Sequence, residues 1–469
     1  MSPWRVRPHP LTAVLSLFAA AALAGCASTR TPSLDAAADE TLAGADLARL
    51  AAPAAALRHP VLKPVVLDPA RPLSPDAVAV IAVLANPDLK AARARAKVAD
   101  AQTITAGLLP DPTVGASTDL RLSGPDQGNG WSAQIGYELT ALRDRDLAVK
   151  GAKSVRRQVR LDLAWQEWTV AEQAKLLAGR VLETEQLAVL AARTEGEAEG
   201  ALAHAVAAAA RGDLKADDLN SRRLAALDAR ERATQTARDR DQARSDLNAI
   251  LGLRPETRLR LSAAAPPVPG PMDADALFAA ARSQRLDLRA LRAGYDSQNA
   301  AVRKAVRDAF PSFALTVNRA TDTAGNHTLG PGISLTLPLW NRNRGPIAEA
   351  LATRDALRAD YAARVFQARS DIAALADSLA RTEAQRAQAL RQVTPLLESA
   401  GAADAAAVRG DLSLPAAEAV RQSARDRLAA LITLDQTLAE LAIGLELATG
   451  APLGPAPPGA PATPVRPAP

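Results

Sequence analysis

The sequence predicts an α+β membrane protein in which four short amphipathic strands feed very long helices, the whole organised as an internal two-fold repeat. Three observations carry this reading. Residues 332–347 read G-I-S-L-T-L-P-L-W-N-R-N-R-G-P-I, where Ile333, Leu335, Leu337 and Leu339 alternate with Gly332, Ser334, Thr336 and Pro338. That is the period of a strand with one greasy and one polar face. A polar, Ala-rich helical pattern follows, with Pro346 suited to its first turn and no further proline until Pro395. Finally, Arg-Gly-Asp-Leu occurs at residues 211–214 and 409–412, an offset of 409 − 211 = 198, and Gly252 and Gly450 keep the same offset. A unit of about 200 residues is too long for a solenoid repeat and suits two similar halves of one architecture.

Composition narrows the function classes. Aromatic residues make up 3% and charged residues 23% of the 469 positions, and alanine is abundant. This mixture favours long helices packed through small side chains over one thick globular core. The 56 basic residues nearly balance the 51 acidic ones, with no Lys/Arg block, which argues against a nucleic-acid partner. Four scattered histidines and one cysteine offer neither a metal set nor a nucleophile–base pair, and no phosphate loop occurs, so an enzyme is not expected.

The single cysteine is informative for another reason. Residues 1–25 have a short basic start (Arg5, Arg7) and an apolar run over 11–23, then L-A-G-C ends on Cys26. Signal peptides have this form. L-A-G-C matches the bacterial lipobox, whose cysteine carries a covalent diacylglycerol and palmitate and becomes the new N-terminus; an ordinary signal peptide with an incidental Cys26 is the alternative. No other cofactor is expected. Residues 26–72, rich in Ala, Pro, Asp and Thr, read as an extended lipidated tether. No later stretch reaches the roughly 18 consecutive apolar residues of a spanning helix, so any span has to be β.

The elements then follow in order. Ser74-Pro75-Asp76 caps a short helix, and Asn86-Pro87-Asp88 opens another that stops at Pro110-Asp111-Pro112. Val114, Ala116, Thr118 and Leu120 mark a strand, G-P-D-Q-G-N-G at 124–130 a loop, and 131–140 the returning strand. Residues 143–210 are helical, with Leu163, Val170 and Leu177 at coiled-coil spacing; Gly212 turns the chain and 215–251 return. A Pro-rich crossover closes the first repeat, residues 73–271. The second, 272–450, replays it: two helices, a strand through Phe313, Leu315 and Val317, a loop at Gly325-Asn326, the strand at 332–339, and a long helix with Val365, Ile372 and Leu379 at sevens. Gly410 turns into a final helix that ends at Gly450, and residues 451–469 read as a disordered Pro-rich tail.

Strands of about 9–11 residues match an outer membrane, but four cannot close a barrel, and open edges are not tolerated in lipid. Closure therefore calls for several chains; a soluble four-stranded sheet capping a helical bundle is the competing reading. Residues 86–94 (N-P-D-L-K-A-A-R-A), 287–294 (D-L-R-A-L-R-A-G), 107–112 (G-L-L-P-D-P) and above all 337–350 (L-P-L-W-N-R-N-R-G-P-I-A-E-A) resemble the repeat motifs of the TolC-type outer membrane factors. The resemblance spans residues 73–450. It implies a homotrimer whose twelve strands complete a β-barrel in the outer membrane, continued by a long periplasmic α-helical barrel. It further implies a passive exit duct of a tripartite efflux or secretion system, partnered by a periplasmic adaptor and an inner-membrane pump of the RND type. The N-R-N-R-G spelling is similar to members serving heavy-metal and related cation pumps.

By the same resemblance, Gly212 and Gly410 match the periplasmic hairpin turns that meet the adaptor. The family's pore-ring carboxylates have a counterpart in Glu418, while Asp213, Asp217, Asp218 and Asp411 are substitutes by proximity. Solvated acids at helix starts, favoured by the helix dipole, are the equal alternative for these. The rival function is a non-transporting, lipid-anchored coiled-coil scaffold or adaptor. Two hairpins and two strand pairs count against it.

Overall fold

The computed structural model describes residues 32–68, 70–125, 128–262 and 273–453. The expected signal segment, Cys26 and the tail beyond 453 lie outside the described residues. The chain divides into residues 1–44 and residues 45–469. In the first unit, helix α1 (Leu34–Leu42) is N-capped by Ser33, whose Oγ accepts the Ala36 amide at 3.3 Å.

The second unit opens with a departure from expectation. The segment from 45 to 72 is a packed strap, not an extended tether. Helix α2 (Leu47–Ala55) is capped by Asp46, and Leu47, Leu50, Ala51 and Ala54 lie on one face of it. Leu57, Val65 and Leu67 continue into the same core, and Leu62 joins a second cluster around Trp168. Leu73 then forms a parallel bridge with Leu261. The helical spacing 47, 50, 51, 54 was present in the sequence, but Pro53 and the surrounding Ala/Pro bias hid it.

The two repeats follow in matching order. The first comprises α3 (Pro75–Ala85), α4 (Pro87–Gly107), β1 (Thr113–Asp119), β2 (Gly130–Glu138), α5 (Thr140–Ala210) and α6 (Ala216–Ile250). The second comprises α7 (Ala274–Gln284), α8 (Leu286–Arg307), β3 (Ser312–Thr321), β4 (His327–Thr336), α9 (Arg344–Arg409) and α10 (Leu414–Thr449). At 1.5 Å per residue, α5 (71 residues) and α9 (66 residues) are each about 100 Å long. Helix α6 returns along α5, and α10 along α9; α8 lies against both long helices, and α10 also packs on α5.

The copies differ where the strap lies. Eight of the eleven residues of α3 are buried, as a helix apolar all round requires, under the strap and against α5. Its counterpart α7 has no such cover among the described residues and buries only Ala281. Seven-residue spacing sets the seam of α9: Ile372, Leu379, Val393 and Ala400 are buried along it. On α5 the seam instead runs through Ala164, Trp168, Ala171, Ala174, Ala178 and Val181, with Val170 and Leu177 at its edge. Helix α10 carries an 18-residue window of mean hydropathy 1.5, but Asp435, Glu440 and Glu446 interrupt its apolar run and it packs along α9 and α5.

The strands form one antiparallel sheet in the order β1-β2-β3-β4. The last strand begins earlier and ends earlier than its alternation implies. Pairing stops at Ser312↔Thr336 because β3 starts only after Pro311, so Leu337 and Leu339 have no partner strand. Pro331, which lacks an amide hydrogen, is accommodated in β4 because that strand is an edge. The joint into α9 is tight: Arg342 and Asn343 both adopt positive φ (44° and 55°), and Asn343 Nδ2 donates to Ala305 O at 2.7 Å.

Candidate channel wall and hairpin turns

Register fixes what each face of the sheet presents. Val114↔Ile135↔Val317↔Pro331 lie in one row, and Tyr137↔Leu315↔Ile333 and Phe313↔Leu335 in the next. These side chains share a face. Ile333 is 73% and Leu329 74% exposed, so no helix covers them. The opposite face carries Gln134↔Asn318, Ser117↔Ser132 and Ala314↔Ser334, all small or polar. Trp131 stands at the loop end of the apolar face; Tyr137 and Phe313 stand at the helix end, with Phe310 and Trp340 beside them in the joints. The outer edges of β1 and β4 pair with no strand among the described residues.

The four helices joined to the strands, α4, α5, α8 and α9, all leave from one end of this sheet, and the far ends of α5 and α9 carry the two Arg-Gly-Asp turns. Gly212 (φ +82°) and Gly410 (φ +79°) occupy the left-handed region that ends a helix cheaply only with glycine. Each turn is closed the same way: Arg211 Nε lies 3.0 Å from Asp213 Oδ2, and Arg409 Nε lies 2.9 Å from Asp411 Oδ2. The hairpins meet near these turns, where Arg222 of α6 pairs with Glu418 of α10 and Glu197 of α5 with Arg425 of α10. Arg421 lies 3.8 Å from Glu418 and 3.2 Å from Asp404. Of the five sequence-derived acids, Asp213, Asp411 and Glu418 thus sit in ion pairs, whereas Asp217 and Asp218 are exposed in the first turn of α6. Sequence reasoning missed the arginine partners of Glu418 and Glu197, because partners about 200 residues apart leave no local spacing to read.

Between turns and sheet each repeat is closed on itself at a matching position, and the two are then joined. Asn86 Nδ2 donates to Ile250 O at 2.9 Å, and Arg285 Nη1 donates to Ala448 O at 2.6 Å. These are corresponding positions, since 285 − 86 = 199 and 448 − 250 = 198. Arg285 also grips Asp287 through two contacts (3.0 and 2.7 Å) and stacks 4.8 Å from the Trp165 ring. Nearby, Lys175 Nζ lies 2.9 Å from Glu172 and 3.1 Å from Glu446, which joins α5 to α10. Burial pushes the Glu172 carboxyl up to about 8; for Lys175, burial opposes the charge, but the two carboxylates outweigh it and hold the ammonium above its usual range. The side chain of His59 in the strap is buried too. Its Nδ1 accepts the Val61 and Leu62 amides (3.1 and 3.0 Å), which leaves Nε2–H to donate to Ala164 O at 3.1 Å. Among the described residues there is no metal-binding group of three or more His, Cys, Asp or Glu.

No protein-family model and no curated protein sequence matches the chain. Solved structures do. A membrane protein from Pseudomonas aeruginosa superposes with a TM-score of 0.69 at 17% identity, covering 80% of this chain and 93% of that one. The CmeC outer membrane channel of Campylobacter jejuni gives 0.67 at 16%, covering 80% and 85%. The outer membrane protein VceC of Vibrio cholerae gives 0.66 at 16%, covering 81% and 96%. The chain has the TolC-type outer membrane channel fold. The four-stranded sheet and the pair of long hairpins described above are the elements in which this chain has the TolC-type fold.

Proposed function

We propose that this chain is the exit duct of a tripartite efflux or secretion system, seated in the outer membrane as a homotrimer. One observation carries the reading: a sheet with one exposed apolar face, one polar face and two unpaired edges is joined to paired helices about 100 Å long. Unpaired edges are excluded from hydrocarbon, so three copies pairing β4 to a neighbour's β1 close a twelve-stranded barrel, apolar side to lipid and polar side to the lumen. The hairpins then line a periplasmic tunnel, and the Gly212 and Gly410 turns form its mouth, where a periplasmic adaptor and an RND-type inner-membrane pump deliver substrate. Conduction is passive in this reading, with the pump supplying the driving force.

Cys26 carries the lipid anchor in this reading, alongside the barrel. The solved CmeC and OprN neighbours are described as outer membrane channels, which supports the location. The deciding experiment measures the native mass of detergent-extracted protein beside export in a strain lacking its own duct. Three chains and restored export are expected. A monodisperse monomer without a detergent belt would overturn the proposal in favour of a lipid-anchored scaffold.

A further inference from the structure

The apolar face of the sheet carries one formal charge among its strand residues, and it is out of keeping with everything around it. Arg319 of β3 faces outward between Ala133 of β2 and Leu329 of β4. The rows toward the helices are Val317, Ile135 and Pro331, then Leu315, Tyr137 and Ile333. No Asp or Glu stands on this face, and Arg319 makes no ion pair among the described residues. Asp322, which follows β3, gives both carboxylate oxygens to Asn326 (2.8 Å each).

The row toward the loops is different. Trp131, Thr321 and His327 occupy neighbouring positions on β2, β3 and β4, with His327 Nδ1 2.9 Å from Thr321 Oγ1. Arg319 is two residues from the end of its strand, about 7 Å of strand length. A long cationic side chain at that depth lies along the apolar wall and lifts its head to the interface. Its head then rises toward the row of Trp131, Thr321 and His327, where the Thr321–His327 hydrogen bond uses one of that pair's donors and leaves the other, with the indole N–H, to donate. A guanidinium beside neutral donors, with no acid paired to it among the described residues, suits a phosphate monoester through a planar two-point contact.

We infer that Arg319, with Trp131, Thr321 and His327, binds the phosphate of a phosphorylated outer-leaflet glycolipid. The inference rests on the proposed membrane position of the sheet. The four helices joined to the strands leave from the far end, so in that position the loop rim is the exterior one, where the leaflet is built from such glycolipids.

Native mass spectrometry of the full-length protein in detergent, with added bis-phosphorylated lipid A, tests this. Wild type is expected to retain up to one lipid per chain. Arg319→Gln should weaken retention at least fivefold, and Arg319→Lys less. Dephosphorylated lipid A should bind wild type as weakly as lipid A binds Arg319→Gln, which needs no variant to fold. Arg121→Gln, in the preceding loop, should be neutral. Equal retention of phosphorylated and dephosphorylated lipid, no retention by wild type, or equal retention of phosphatidylglycerol would each overturn the site. A belt-free monomer before any lipid is added would instead overturn the membrane reading beneath it.

Discussion

Arg222 and Glu418, on helices from different repeats, form an ion pair close to the turns that end both hairpins. The Glu197–Arg425 pair repeats the arrangement one hairpin strand away. Both ties cross from one hairpin to the other, so they oppose any separation of the two at the mouth.

Breaking such a tie should loosen the mouth without unfolding the chain. A partly exposed pair contributes at most about 1 kcal/mol, or roughly fivefold in an open–closed equilibrium. Glu418→Gln is therefore expected to raise single-channel conductance or leak a few-fold, and Arg222→Glu with Glu418→Arg to restore it. Planar-bilayer recording reads both. A closed, wild-type trace for Glu418→Gln would remove the pair from any gating role.

Gly212→Val and Gly410→Val should leave trimer yield intact and abolish export. Both positions have open space where a side chain would go, so the penalty is the positive φ alone, about 1 kcal/mol. Gly252→Ala is the contrast, because its new Cβ would come within 2.5 Å of Ala85 O in a packed region. That variant should lose folded protein. A trimer blot beside an efflux assay separates the two, and normal export in both valine variants would show that the turns are mere connectors.

The lipid face should show a depth profile. Ile333 lies well inside the apolar rows, whereas Leu335 pairs with Phe313 beside the helix rim. Ile333→Arg is expected to weaken assembly by about 2–4 kcal/mol, Leu335→Arg by about 0–1 kcal/mol, and Thr336→Arg on the polar face by little. Trimer-to-monomer ratios in a detergent series measure this. Equal tolerance at 333 and 336 would invert the assigned faces.

Two buried groups should tilt stability with pH in opposite directions. Burial lowers the His59 pKa against the opposing pull of Ala164 O and Glu167, so the unfolded chain takes its proton first. Stability from His59 is thus present above the ordinary value near 6.5 and is lost as pH falls toward its lowered folded value. Glu172, pushed up to about 8, holds its proton better when folded; its contribution is complete below the ordinary value of 4.5 and is lost as pH rises through about 8. In thermal melts, His59→Asn should flatten the acid slope and Glu172→Gln the slope on the alkaline side. Unchanged slopes in both would mean that neither group stays buried in solution.

Much of this was legible in one chain. Alternation in Phe313–Leu315–Val317 and spacing by sevens in Ile372 and Leu379 report local periods, and both elements occur as read. The duplicated Arg-Gly-Asp spelling marks both hairpin ends, where Gly212 and Gly410 adopt positive φ. The strap was missed because Pro53 and an alanine-rich background masked a correct helical spacing. The end of β4 was misplaced because pairing, not alternation, ends a strand. The ion pairs at the mouth and the donors around Arg319 are properties of juxtaposed segments, which no single window contains.

The free edges of β1 and β4 have one more consequence. A newly made chain cannot complete its own surface, whatever the quality of its helical packing. In the proposed trimer, the finished state is reached only in company, and apparent stability depends on how many copies share the membrane. For such an assembly, dilution acts as a denaturant.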